Sequence, residues 1–315
     1  MKKIASIDIG SYTARILIAE AAEAPMIFHP LDRDRRYIRL ADGFDKGGGL
    51  ELDSTAIART VETIEDFVSK IGKYKVDYIS AVATGVVRRA LNRKTLLDSI
   101  HKRTGVTARV ISGEEEARLT DLGVCNSLKL SGEQRIIFDL GGGSTEFIFS
   151  QGNQRVFRSI PLGAMTLSQL IFSADPPTDL MIHESSTKID RIIRKGLPDK
   201  TEGKKAVIIG TGGTVTTLAA IANQVETQAI SPERLNQTRL SRENITNIFQ
   251  ELKKMNVIER SQVAGLDRER ADIILAGSMA ILRVLKYFNS HELFVSLSDI
   301  LEGLIIDHLK ENENE

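Results

Sequence analysis

DIGS at residues 8–11 and DLGGGS at residues 139–144 are the two stretches of sequence that decide the fold. Each follows a short apolar run that is typical of a β-strand, and each is followed at once by a second apolar run. The pattern predicts strand, tight turn and strand at both places. Because glycine tolerates a positive φ and has no side chain, such a turn lets backbone amides approach an anion.

The surroundings of the two turns repeat as well. In each half a third strand and then helical patterns follow the hairpin. Internal duplication with one polar turn in each half predicts two related domains that face each other across a central cleft. We therefore expect an α/β fold of two duplicated actin-like domains, the architecture of Hsp70, sugar kinases and ribonuclease H. The expected domains are residues 1–129 and 130–298, with a helix at residues 299–315 packing back on the first domain.

Two local features of the first half are predicted from charge and periodicity. The charged residues 32–36 indicate a solvated loop, with the third strand at Tyr37–Leu40 after it. Apolar residues then recur at helical spacing from Ile57 to Ile71, which predicts a helix with Ser54 as its N-cap.

Composition restricts the classes of function. The chain has 42 basic and 42 acidic side chains, so its net charge attracts no polyanion, DNA is not expected as a partner, and phosphate binding must come from local groups. No apolar stretch approaches the roughly 18 residues of a membrane span, so no membrane partner is expected. The single cysteine, Cys125, cannot form an internal disulfide, which favours the reducing cytoplasm. The five histidines lack ligand spacing, which argues against zinc.

A third glycine turn follows another apolar strand. Residues 210–214 read GTGGT and open a helical pattern, and the N-terminus of a helix attracts phosphate. A single such turn is equally well explained as a hairpin or a packing glycine, whereas three turns at strand ends favour phosphate binding. The candidate phosphate-binding residues are Gly10, Ser11, Gly142, Gly143, Ser144, Gly212, Gly213 and Thr214.

Carboxylates lie beside the central turn. Mg²⁺ usually takes one or two carboxylates and keeps several of its waters. Asp139 and Glu146 flank the glycines from opposite sides, and we expect Asp8 to reach the same ion from the other domain. These three residues are the candidate ligands of Mg²⁺, with Mn²⁺ as the alternative ion. For Glu146 the competing interpretation is an outward-facing charge on a strand.

Several motifs occur in the order in which they occur in one known family. They are Asp8-Ile-Gly-Ser, Arg39-Leu40-x-x-Gly43, residues 83–92, residues 111–119, residues 139–146, residues 210–214 and Arg270-Ala-Asp-Ile-Ile. Over nearly its whole length the chain resembles the Ppx/GppA family of exopolyphosphatases and guanosine pentaphosphate phosphohydrolases, in its short two-domain form. The resemblance implies that Glu116 is the catalytic residue that activates water and that Arg88 contacts the substrate phosphate. Apart from this resemblance, the helix dipole favours acidic residues in a first helical turn. That preference explains Glu114 and Glu115 but not Glu116.

The resemblance implies a Mg²⁺-dependent exopolyphosphatase that hydrolyses the terminal phosphate of inorganic polyphosphate. Because the chain has no surplus of positive charge to hold a long polyanion between cuts, we expect it to hydrolyse short polyphosphate at least as well as long and to release its product between turnovers. Catalysis of phosphoryl transfer is mostly positioning and electrostatic stabilisation, so one site could also serve guanosine pentaphosphate (pppGpp) as substrate. Two competing hypotheses are a weakly active sensor that binds polyphosphate or the alarmone, and an ATP-dependent kinase or chaperone. Whether the chain forms a homodimer is left open.

Two motifs depart from the family pattern. The first turn of the family usually has Gly-Ser-Asn-Ser, and this chain has Gly10-Ser11-Tyr12-Thr13. Near residue 300 the family has Gly-Leu-Arg-Glu-Gly, and this chain has Asp299-Ile300-Leu301-Glu302-Gly303. A phenol is bulkier than an amide and directs its polar group differently. Both departures bear on substrate preference, and Tyr12 is the only support for the weakly active sensor.

Overall fold

The computed structural model describes residues 1–22, 27–44, 49–128, 134–152, 154–171, 173–198 and 206–312. The chain divides into two compact units. The first unit consists of Met1–Gly123 and Asp299–Glu315, and the second of Val124–Ser298. The boundary expected between residues 129 and 130 lies outside the described residues.

A five-stranded sheet forms the centre of the first unit, with strand order β3-β2-β1-β4-β5. The strands are β1 (Lys2–Ile9), β2 (Thr13–Ala22), β3 (Ile27–Tyr37), β4 (Tyr78–Ala83) and β5 (Ala108–Val110). β1 pairs antiparallel with β2 and parallel with β4, and Ile9 at the end of β1 is the partner of Ala83 at the end of β4. The turn after Asp8 therefore lies at the edge where the parallel strands end.

The helices that follow these strands are α1 (Ser54–Gly72), α2 (Val86–Arg89), α3 (Arg93–Thr104) and α4 (Gly113–Ser127). The helix predicted from Ile57 to Ile71 is α1, which buries its apolar face. Its N-cap is Asp53 and not Ser54 as predicted, because the Asp53 carboxylate accepts the backbone N–H groups of Thr55 and Ala56.

The second unit has a six-stranded sheet with the order β10-β11-β9-β6-β7-β8. Its strands are β6 (Arg135–Leu140), β7 (Thr145–Gln151), β8 (Gln154–Ile160), β9 (Val207–Thr211), β10 (Arg239–Ser241) and β11 (Glu292–Val295). β6 pairs antiparallel with β7 and parallel with β9, as β1 does with β2 and β4. Both units thus contain the predicted hairpin, a third strand beside it and a parallel partner for the first strand.

Helices cover the sheet of the second unit. They are α5 (Ala164–Ile171), α6 (Asp179–Gly196), α7 (Gly213–Ala222), α8 (Pro232–Leu235), α9 (Arg242–Leu252), α10 (Val257–Arg260) and α11 (Ile274–Tyr287). α11 is buried over most of its length, and it contacts α5, α6, α7 and α9. The start of α7 and the glycine turn before it therefore pack against a buried helix.

The last helix, α12 (Ile300–Asn312), belongs to the first unit. Leu301, Ile305 and Leu309 pack in one apolar cluster with Ile4 and Leu17 of the sheet. None of the helices in the described ranges has both the length and the apolar composition that crossing a membrane requires.

The prediction for residues 32–40 was wrong. The charged residues 32–36 are part of β3, which pairs antiparallel with β2 and ends at Tyr37. Tertiary contacts compensate the charges: Lys70 of α1 lies 3.4 Å from Asp32 and 3.1 Å from Asp34, and Arg33 pairs with Glu302 of α12. A strand with alternating charges cannot be recognised from local sequence, because its partners are distant in the chain.

Candidate active site

The hairpin β6–β7 places two carboxylates on one face of the sheet. Asp139 and Glu146 are direct cross-strand partners, and such partners have Cβ atoms about 4.5–5.5 Å apart. Both side chains are buried. Like charges that face each other destabilise a sheet, so this pair requires compensation by a cation or by hydrogen-bond donors.

Hydroxyl groups surround Glu146. Ser144 and Ser159 donate to its Oε1 atom at 2.8 and 2.7 Å. The hydroxyl proton of Ser144 is therefore engaged by Glu146. The backbone N–H of Ser144 is the group that fits the predicted phosphate contact.

Helix α5 fixes the direction of the glycine amides. The carbonyl oxygens of Gly141 and Gly142 accept the first N–H groups of α5 at 2.9–3.1 Å. A Cβ on Gly163 would lie 2.3 Å from the Gly142 oxygen, so only glycine permits this approach. A trans peptide unit directs its C=O and the next N–H in opposite directions. The N–H groups of Gly142 and Gly143 consequently point away from α5, as an anion-binding turn requires. Neither α5 nor Gly163 was predicted from the sequence.

The turn between β9 and α7 lies beside the same carboxylates. Thr211 is the parallel partner of Asp139, and a Cβ on Gly212 would lie 2.8 Å from the Asp139 Oδ1 atom. Gly212 has φ 95° and caps α7 without a side-chain hydrogen bond. The positive end of the α7 dipole therefore starts next to Asp139.

Arg270 lies across the start of α7. A Cβ on Gly213 would lie 1.9 Å from its Nη2 atom, and the arginine is buried. The sequence contained the motif around Arg270, but nothing in the pattern assigned it a role. Thr214 as a whole residue is only 1% exposed, and its side chain lies against Gly277 of α11.

The residues around the β6–β7 turn fit a small hard cation. Asp139 and Glu146 supply two carboxylates, which is as many as Mg²⁺ usually takes from a protein. In the described part of the chain, no group of three or more His, Cys, Asp or Glu residues could hold a metal ion. A site here would combine the two carboxylates with water and substrate oxygens.

Asp8, the third predicted ligand, has a different environment. Its cross-strand partner is Arg15, whose Nε and Nη2 atoms donate to the Asp8 Oδ2 atom at 3.1 and 2.7 Å. Arg15 also donates through Nη1 to Asp299. Burial raises the pKa of the Asp8 carboxyl, and the Arg15 guanidinium opposes this shift. Asp8 is thus held by an arginine of its own hairpin.

Gly10 and Ser11 also contact their own unit. The N–H of Gly10 donates to the carbonyl of Thr13 at 2.9 Å, which closes the turn. The Ser11 hydroxyl accepts the N–H of Val86, the first residue of α2, at 2.9 Å. As an acceptor, the hydroxyl keeps its own proton available for donation.

The phenol of Tyr12 is directed into the first unit. Tyr12 is 3% exposed, and Arg39 Nη1 donates to its hydroxyl at 3.0 Å. Its ring packs edge-on against Tyr37, with 5.4 Å between the ring centroids. The tyrosine side chain, which is larger than the asparagine of the family pattern, is therefore accommodated by packing within the first unit.

The two predicted catalytic residues are in contact. Glu116 lies in the first turn of α4, after Ser112, whose hydroxyl accepts the N–H of Glu115 at 3.1 Å. The buried Glu116 carboxylate accepts from Arg88 Nη1 at 2.8 Å, and the same Nη1 donates to the carbonyl of Ile111 at 3.0 Å. Residues that are 28 positions apart in sequence thus form one pair.

The sequence neighbours of this pair have other contacts. Glu115 accepts from Arg109 at 3.0 Å on the surface. The Arg89 guanidinium lies 5.3 Å from the centre of the Phe44 ring. Glu115 and Arg89 therefore provide matched controls for Glu116 and Arg88.

Comparison with known proteins extends over almost the whole chain. Residues 17–312 match the model of the Ppx/GppA phosphatase family. The chain is 28% identical to Exopolyphosphatase 2 of Mycobacterium tuberculosis over 321 residues, which cover 97% of this chain and 98% of that protein. The crystal structure of the Aquifex aeolicus member of the Ppx/GppA family has a TM-score of 0.81 at 30% identity and covers 100% of this chain and 99% of that one. An exopolyphosphatase from Cytophaga hutchinsonii has a TM-score of 0.83 at 26% identity, with 98% of both chains covered.

These similarities confirm the predicted class of fold, an α/β protein of duplicated actin-like domains. The chain belongs to the Ppx/GppA phosphatase family. It is therefore a hydrolase of phosphoanhydride bonds, as the sequence motifs implied.

Proposed function

We propose that this protein is an exopolyphosphatase that removes the terminal phosphate of inorganic polyphosphate, with Mg²⁺ as cofactor and a water activated by Glu116. The observation that carries the proposal is the 2.8 Å contact between Arg88 Nη1 and Glu116 Oε2. It joins a buried carboxylate to the kind of side chain that binds phosphate best. The names of the relatives from M. tuberculosis and C. hutchinsonii favour polyphosphate over pppGpp.

In the first unit, Arg88 would bind the terminal phosphoryl group. A guanidinium matches phosphate oxygens with two parallel N–H donors. In the structure, the Arg88 guanidinium donates to Glu116. A phosphate that takes over these donors releases the Glu116 carboxylate, which then accepts a proton from the attacking water. Substrate binding and activation of the base are coupled in this way.

In the second unit, the N–H groups of Gly142 and Gly143 would donate to phosphate oxygens, and Asp139 and Glu146 would hold the cation. Mg²⁺, or Mn²⁺ in its place, would when held there supply positive charge against the phosphate oxygens. Arg270 and the start of α7 add positive potential beside these carboxylates. The Ser144 and Ser159 hydroxyls keep the Glu146 carboxylate in one orientation.

Phosphate release from three substrates tests the proposal. Long polyphosphate, short polyphosphate and pppGpp are each incubated with Mg²⁺, with Mn²⁺ and with a chelator. We expect release that requires the metal and is faster from polyphosphate than from pppGpp. Faster release from pppGpp would make the alarmone the substrate, release in chelator would remove the cation from the proposal, and tight binding without release would indicate a sensor.

A further inference from the structure

The hydroxyl of Ser11 connects the first glycine turn to the helix that carries Arg88. Ser11 is 4% exposed, and its Oγ atom accepts the N–H of Val86 at 2.9 Å. The residue before Val86 is Gly85, which has no side chain to cap α2. A serine 75 positions away in sequence therefore accepts a hydrogen bond that a local N-cap residue normally provides.

The backbone conformation of Gly85 and its lack of a side chain permit this contact. Its φ of 55° and ψ of −119° form a combination that only glycine adopts without strain. A Cβ at this position would lie 2.1 Å from the Ser11 hydroxyl oxygen. Any larger residue at position 85 would therefore displace the hydroxyl from Val86.

The first hairpin also contacts Thr84, the residue before Gly85. The backbone N–H of Thr84 donates to the carbonyl of Ile9 at 3.0 Å, and the Thr84 hydroxyl lies 3.5 Å from the Asp8 Oδ1 atom. α2 is only four residues long. So short a helix is not stable by itself, since helix nucleation is unfavourable. Its orientation depends on these anchors, and Arg88 lies two residues after Val86.

We propose that Ser11 is a positioning residue for Arg88: by accepting the Val86 N–H, it orients α2 and directs the Arg88 guanidinium. The inference rests on the proposed function, because it takes Arg88 as the arginine that binds the substrate phosphate. It assigns to Ser11 a role other than the direct phosphate contact predicted from the sequence. Loss of the hydroxyl then reduces activity through the arginine.

Hydrogen exchange of the Val86 amide tests the contact without reference to activity. In Ser11→Ala the amide loses its acceptor, and we expect its exchange, followed by NMR on the full chain, to accelerate by about tenfold. Ser11→Thr keeps a hydroxyl and should retain slow exchange. Unchanged exchange in Ser11→Ala would overturn the positioning role.

A double-mutant cycle tests whether Ser11 acts through Arg88. Ser11→Ala should lower kcat/KM for polyphosphate by up to about 100-fold in the wild-type background, because small displacements of a catalytic group are costly. In Arg88→Ala the same substitution should cost less than about twofold, since residues that act together are not additive. Losses that multiply would show that Ser11 binds phosphate independently and would overturn the proposal.

Two glycine variants control for backbone strain and for folding. Gly85→Ala should reproduce both effects of Ser11→Ala. Gly105 also has a positive φ, 74°, but no atom lies within 4 Å of its Cβ position, so Gly105→Ala reports strain alone and should leave kcat/KM unchanged. If Ser11→Ala does not fold, Gly85→Ala takes its place in the exchange experiment and in the cycle.

A wild-type chain that releases no phosphate would overturn the proposed function and this inference together. Unchanged exchange of the Val86 amide in Ser11→Ala would overturn the inference alone.

Discussion

The two glycine hairpins are closed by the same backbone hydrogen bond, but the aspartates in them face partners of opposite charge. In the first, the N–H of Gly10 donates to the carbonyl of Thr13 at 2.9 Å, and in the second, Gly141 donates to Ser144 at 3.0 Å. In each hairpin the aspartate two residues before this glycine has a direct partner on the next strand. That partner is Arg15 for Asp8 and Glu146 for Asp139.

The difference shows that one cross-strand position decides what such a turn can do. Arg15 compensates Asp8 within the hairpin, and the same guanidinium extends to Asp299. Glu146 adds a second carboxylate beside Asp139, which favours a site for a divalent cation. The aspartate of the first hairpin therefore faces a cation of its own sheet, and the aspartate of the second faces another carboxylate. Because of this contrast, equivalent substitutions in the two hairpins should have different effects.

The largest effect is expected for Glu116→Gln, since the proposed function places the general base in the first unit and the cation ligands in the second. Loss of a general base should lower kcat by about 10²–10⁴-fold. The Mg²⁺ concentration for half-maximal rate should not change. Steady-state kinetics with a metal titration measure both values. Glu115→Gln is the control and should match the wild type. A rate within a few-fold of wild type would remove Glu116 from the mechanism.

Arg15→Gln should destabilise the first unit, because it leaves Asp8 and Asp299 buried without their shared partner. Removal of one member of a buried ion pair costs about 3–5 kcal/mol of unfolding free energy. Chemical denaturation in metal-free buffer measures this loss. The matched variant in the second hairpin is Glu146→Gln, which removes one of two facing like charges and should cost less. Equal losses would contradict the contrast.

Asp139→Asn should weaken cation binding. A neutral amide is a poor ligand for a hard cation, and we expect the Mg²⁺ midpoint to rise by about 10–100-fold. Asp8→Asn is the control at the equivalent position, and its midpoint should stay near that of the wild type. A comparable rise in Asp8→Asn would support the sequence prediction that Asp8 is a ligand.

Arg88→Lys should have the smallest effect of the four, a decrease in kcat/KM of about tenfold. Lysine keeps the charge but loses the planar fork that binds phosphate through two donors. Arg89→Lys is the control, because Arg89 lies over the Phe44 ring. If Arg89→Lys is harmful and Arg88→Lys is neutral, the phosphate-binding arginine has been misassigned.

Much of the fold was predictable because its signals are local. The strands before Asp8 and Asp139 are apolar and end in glycine turns, and α1 has a regular helical period. β3 was not predictable, since its charges are compensated by Lys70 and Glu302 from other parts of the chain. α2 and α5 were missed because each is short and begins without a strong capping signal of its own.

For the candidate site, the sequence identified residue types but not their contacts. It selected Glu116 and Arg88 through family motifs, and the structure shows their hydrogen bond. It predicted Ser11 and Thr214 as phosphate contacts, and the structure adds that the Ser11 hydroxyl accepts from Val86 and that the Thr214 side chain packs on Gly277. Hydroxyl groups bind many partners, so their role depends on what the fold brings near them.

By itself, the sequence determined the class of fold, the family and the two glycine hairpins, because apolar periodicity and glycine turns act over a few residues. Only the tertiary structure decided the charge environment of each hairpin. Asp8 and Asp139 occupy equal places in nearly equal motifs, and their difference comes from Arg15 and Glu146 across the sheet and from Asp299, which is far away in the chain. Electrostatic interactions depend on distance and burial in space, and sequence spacing records neither.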